Sequence, residues 1–78
     1  MAYATIYCVQ TFRKQGSGVE RDRLWSYGAR SDAERRGDLV RRGAAGMAVY
    51  AVELDPAVRQ VGRIKLLERY GRLPPFQI

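Results

Sequence analysis

The chain has 78 residues, a formal net charge of +6 at pH 7 and no histidine. That length makes one domain with a thin core, and the single cysteine, Cys8, excludes an internal disulfide. With no His, no Cys pair and only eight scattered acids, the chain lacks the usual metal and acid–base constellations, so neither an enzyme nor a bound cofactor is expected.

Residues 3–13 are rich in β-branched and aromatic types without Gly or Pro, and they read as a strand. Lys14 to Gly18 supplies turn chemistry, and 19–27 alternate as a second strand that closes a hairpin. Ser31-Asp32-Ala33-Glu34 matches a capping box, which predicts a helix from about Asp32 to Gly43. Ala33, Gly37, Val40 and Ala44 form one stripe of small residues along it, suited to lying close on a sheet. Met47 to Leu54 is a third strand, and Asp55-Pro56 can end it and open a short helix. Residues 62–70 are spaced for a strand or for a C-terminal helix. Strand is preferred because Gly62 and Gly71 bracket a segment of strand length. Residues 72–78 read as an extended tail around Pro74-Pro75. The expected fold is a single α+β domain over 1–78, in order ββαβ followed by a fourth strand or a helix. Its antiparallel sheet of three to four strands carries one helix on one face.

Pairing residue 13 with 19 would put Ala4, Ile6, Cys8, Phe12 and Leu24 on one face as core. The opposite face would then display Tyr3, Thr5, Tyr7, Thr11, Arg21, Arg23, Trp25 and Tyr27. One helix cannot cover both faces, so this arginine and aromatic face is the expected binding surface, Tyr, Trp and Arg being enriched at interface hot spots. A one-residue slip would instead turn Trp25 inward. The face could also be buried in a homodimer. Arg35, Arg36, Arg41 and Arg42 on the helix add a second basic patch, interleaved with Asp32, Glu34 and Asp38. The candidate partner-binding residues are therefore Tyr7, Arg21, Arg23, Trp25, Tyr27, Arg35, Arg41 and Arg42.

Twelve of the fourteen cations are arginine, whose planar fork pairs with carboxylate or phosphate geometry. The expected function is stoichiometric binding to a protein or ribonucleoprotein complex with an acidic surface. The alternative is a nucleic-acid-binding module that stacks bases on the arginine and aromatic face. No apolar run approaches the ~20 residues needed to cross a bilayer, so no membrane partner is expected. Met1 to Ile6 lacks the basic start of a secretory signal, so a reducing cytoplasmic setting is expected.

Tyr7-Cys8-Val9-Gln10-Thr11-Phe12, Gly46-Met47-Ala48-Val49-Tyr50 and Leu67-Glu68-Arg69-Tyr70-Gly71-Arg72-Leu73-Pro74 carry a resemblance. With a helix between the first two, they resemble small single-domain proteins of alphaproteobacteria and their phages. The resemblance spans most of the chain on apolar framework positions and transfers no functional residue; it implies a bacterial host cell. In size and lack of catalytic machinery the chain is also similar to the anti-CRISPR proteins that occupy the surface of a type I Cascade. That similarity implies an inhibitor that blocks crRNA-guided recruitment of target DNA. The basic charge departs from inhibitors that mimic DNA, and so points to an acidic patch or to bound nucleic acid as the target.

Overall fold

A computed structural model describes residues 4–55, 57 and 60–75. Strand β1, Ala4–Gln15, turns through Gly16 and Ser17 into β2, Gly18–Tyr27. Gly16 has φ +60°, a left-handed value that a glycine adopts without a Cβ penalty, so the hairpin closes in two residues. The helix α1 spans Arg30–Val40 and tightens into a 3-10 turn at Arg41–Gly43. Strands β3, Gly46–Asp55, and β4, Gln60–Gly71, complete the chain. The strands lie in the order β2-β1-β3-β4, every neighbour antiparallel.

Residues 60–71 are thus a strand and the C-terminal helix does not form. Asp55 Oδ1 accepts the Ala57 N–H at 3.0 Å; the remainder of the short helix expected after Asp55 lies outside the described residues. The capping box is also corrected. The helix begins one residue before Ser31, on an extended Ala29 with no side-chain cap. What supports the first turn is an Arg30–Glu34 pair, Nε to Oε2 at 3.3 Å and four residues apart.

The small stripe on α1 does what its residue types suggest. Ala33 is fully buried, Gly37 is buried, and Val40 packs on the core. A Cβ on Gly37 would stand 3.2 Å from both Met47 Cε and Val49 Cγ2, so a larger residue would hold the helix off the sheet. Close approach leaves the sheet to fill the core. Val9, Met47 and Val49 form its centre with Ala33, and Tyr7, Trp25, Tyr27 and Leu67 pack around them.

This reverses the expected faces, although Phe12, also expected in the core, is buried. Tyr7, Trp25 and Tyr27 lie beneath the helix, half-buried. Leu24, assigned to the core, is 58% exposed. The Ala and Gly stripe lies on Val9, Met47 and Val49, and Tyr7, Trp25 and Tyr27 close the flanks of that contact.

The expected pairing of 13 with 19 also fails, because Arg13 lies opposite Glu20 and Trp25 opposite Val9. The register shifts between Gln10 and Phe12, where Thr11 faces both Asp22 and Arg23, a β-bulge. Polar side chains hold it in place. The Arg23 N–H donates to Thr11 Oγ1 at 3.1 Å, and Gln10 Nε2 donates to the Arg23 carbonyl at 2.9 Å. The bulge moves Arg21 to the side of the sheet opposite Trp25.

Candidate functional site

Ladder partners in an antiparallel sheet point to the same side, so the register lays out the face that α1 leaves uncovered. From β1 come Ile6, Cys8, Gln10, Phe12 and Lys14; from β2, Val19, Arg21, Leu24 and Ser26. Strand β3 adds Ala48, Tyr50, Val52 and Leu54, opposite Arg69, Leu66, Ile64 and Val61 of β4.

The result is an apolar field. Val61 is 50% and Leu66 36% exposed, with Leu24 at the β2 margin; Ile6, Tyr50, Val52, Leu54 and Ile64 are half-buried. The charged residues on it are Lys14, Arg21 and Arg69, all cations. The carboxylates lie elsewhere: Glu20, Glu53, Asp55 and Glu68 occupy the helix-side register, Asp22 sits in the bulge, and Asp32, Glu34 and Asp38 are on α1.

One end of this face is closed by the chain itself. After Gly71, whose φ is +67°, the Arg72 N–H donates to the Ala45 carbonyl at 3.0 Å. A Cβ on Gly46 would collide with the Arg72 carbonyl, and Gly46 shares its side with Phe12. The segment after β4 therefore crosses that corner, where Phe12 is only 1% exposed. Arg72 reaches on to the hairpin turn, Nη2 donating to the Ser17 carbonyl at 2.7 Å. Residues 72–75 have no regular structure, and 76–78 of the expected tail lie outside the described residues.

Within the field, Cys8 stands opposite Tyr50, and Arg21 is close enough to act on the phenol. Burial pushes the Tyr50 phenol up, the neighbouring Cys8 adds to the rise, and Arg21 opposes it. Burial likewise pushes the Cys8 thiol up, which keeps it protonated and a poor nucleophile.

The residues expected to bind a partner are distributed over three places. Arg21 alone sits on the uncovered face, across from Phe12. Tyr7, Trp25 and Tyr27 are core residues on the helix side, and Arg23 lines a groove there with Trp25 and Arg36. Arg35 and Arg42 are exposed on the helix and its 3-10 turn, and the Arg41 guanidinium lies 5.7 Å from the Tyr70 ring centre. The arginine held most firmly by aromatics is Arg36. Its guanidinium lies 5.4 Å above the Trp25 ring, and its Nε donates to Tyr27 Oη at 2.8 Å.

The apolar field is hidden in the sequence because residues 62–70 are spaced equally for a strand and for a helix. Val61, Ile64 and Leu66 share a face only once that strand and its two register shifts are in place. Among the described residues no helix is long and apolar enough to cross a membrane, and no group of three or more His, Cys, Asp or Glu could hold a metal. Comparison with protein-family models, curated proteins and solved structures finds no match to this chain.

Proposed function

We propose that the chain is a non-enzymatic binding protein that docks through the uncovered face of its sheet onto a protein surface. The observation that carries this reading is the apolar field of Leu24, Val52, Val61, Ile64 and Leu66, whose charges among the described residues are all cationic. Such a face fits an apolar patch rimmed by carboxylates. A second copy of the chain fits less well, because Lys14, Arg21 and Arg69 would meet like charges, and like charges directly apposed oppose association. The molecule measures 43 × 25 × 16 Å, so its broad side, less the corner crossed by the segment after β4, offers a footprint somewhat under roughly 1,000 Å². A standard protein interface takes ~800 Å² from each partner. Base stacking finds less purchase: Tyr50 is the one accessible ring on this face among the described residues, since Phe12 is covered.

The test uses two amphipathic helical peptides with the same leucine stripe, one flanked by glutamate and one by lysine. The glutamate peptide should shift the amide resonances of β3 and β4, and Leu66→Asp should abolish the shifts without unfolding the protein. Stronger binding of the lysine peptide, shifts confined to α1, or a stable dimer by light scattering would overturn the reading. Inhibition of a type I Cascade is the finer proposal that follows from the sequence resemblance. It requires that the purified protein block target-DNA recruitment and that Leu66→Asp restore it; recruitment unaffected by the protein would exclude that role.

A further inference from the structure

On the other side of the sheet, α1 lies over β1, β2 and β3. Between the start of the helix and β4 a cleft of about 310 Å³ remains. Arg30 lines it from the helix, Arg63 and Lys65 from β4, and Thr5, Tyr7 and Glu53 from the sheet between them. Ala51 and Leu67 supply an apolar portion of the lining.

The two β4 cations sit side by side on one face, since Lys65 pairs with Ala51 and Arg63 with Glu53 in the ladder. Arg30 engages Glu34 through Nε alone, which leaves its terminal nitrogens available. Arg63 and Lys65 make no ion pair or side-chain hydrogen bond among the described residues. Three cations and one carboxylate thus line a concavity with Thr5 and Tyr7, and Glu34 offsets the charge of Arg30 from outside the lining. The surplus of one positive charge, with Arg63 and Lys65 outside any ion pair among the described residues, attracts an anion such as a phosphate monoester, which carries about −1.5 to −2 at pH 7.

We propose that this cleft binds the phosphate monoester of a small ligand. Arg30, Arg63 and Lys65 hold the phosphate oxygens, the Thr5 and Tyr7 hydroxyls can donate to them, and the attached carbon skeleton lies against Ala51 and Leu67. The cleft is at the small end of ligand sites, which run ~300–1,000 Å³, so a single nucleotide or a sugar phosphate is the size that fits. The site lies on the opposite side of the sheet from the docking face, and either proposal can fail without the other.

The probes are adenosine monophosphate, inorganic phosphate and adenosine, titrated against the intact protein and followed by amide resonances. The two phosphates should shift residues 51–53 and 63–67, while adenosine should not. Arg63→Gln and Lys65→Gln should each weaken phosphate binding about tenfold, the loss expected for one charge-assisted hydrogen bond. Glu53→Gln should tighten it by removing the opposing carboxylate. Binding should also fade as pH falls below ~6, where the phosphate takes up its second proton. No shifts at millimolar phosphate would overturn the proposal. So would an equal loss in Arg42→Gln, or competition by a 5′-hydroxyl oligonucleotide equal to that of the monophosphate.

Discussion

Trp25 and Leu24 are neighbours in β2 that point to opposite sides of the sheet, and truncating each to alanine tests the assignment of its faces. A fully buried Trp→Ala change costs ~3–5 kcal/mol. Trp25 is half-buried, so about half of that, ~2 kcal/mol, is expected from lost packing. The Arg36 guanidinium over its ring adds ~0.5–1 kcal/mol. Trp25→Ala should therefore cost about 2–3 kcal/mol, which for a domain of this size lowers Tm by roughly 10–20 °C. Leu24, 58% exposed and clear of the core cluster, should change stability by no more than ~0.5 kcal/mol. Urea denaturation followed by far-ultraviolet circular dichroism measures both variants without relying on the tryptophan signal. A Leu24→Ala cost equal to or above that of Trp25→Ala would refute the packing of the rings beneath α1.

Tyr27→Phe should cost ~0.5–1.5 kcal/mol by removing the acceptor for Arg36 Nε, measured by the same denaturation; no loss would mean the contact contributes nothing. Gly46→Ala must displace the Arg72 carbonyl and should cost ~1–3 kcal/mol, whereas Gly43→Ala, with open space around its Cβ, should be close to neutral. Equal stability of those two variants would contradict the path of the chain after β4. Alkaline pH should destabilise the protein. Burial raises Cys8 above its ordinary 9.0 and Tyr50 above its ordinary 10.0. The folded chain then keeps protons that the unfolded chain releases, so this contribution is intact below pH 9 and declines as pH rises past it. The double variant Cys8→Ala and Tyr50→Phe should flatten that decline in a pH series of urea midpoints, and an unchanged slope would exclude the two groups as its source.

The sequence carried much of the architecture. β-Branched, aromatic and apolar composition marks β1 and β3, alternation marks β2, the turn chemistry at Lys14 to Gly18 places the hairpin, and the Ala33, Gly37, Val40 stripe marks the helix face that meets the sheet. Which side of the sheet it meets was not legible, because both sides of β1 and β2 are rich in large apolar or aromatic residues. The deciding term is steric. The Ala and Gly surface of the helix lies close on Val9, Met47 and Val49, and Trp25, Tyr7 and Tyr27 pack around that contact, which appears only when the layers are packed. The bulge at Thr11 was equally hidden, because it depends on Gln10 and Thr11 side chains reaching the Arg23 backbone across the hairpin. A strict period of two carried Arg21 and Trp25 to one face, and the bulge separates them. The composition itself pointed to an acidic partner. The register places Lys14, Arg21 and Arg69, and among the described residues no carboxylate, on the apolar face.

The two lysines of the chain sit on opposite sides of the sheet, Lys14 on the uncovered face and Lys65 in the helix-side cleft. A zero-length carbodiimide reagent joins a lysine amine only to a carboxylate in direct contact. Applied to the protein bound to its partner, it should yield amide cross-links from Lys14 to aspartate or glutamate of the partner. Cross-links from Lys65 alone, with Lys14 left unmodified, would place the partner on the other side and contradict docking through the uncovered sheet.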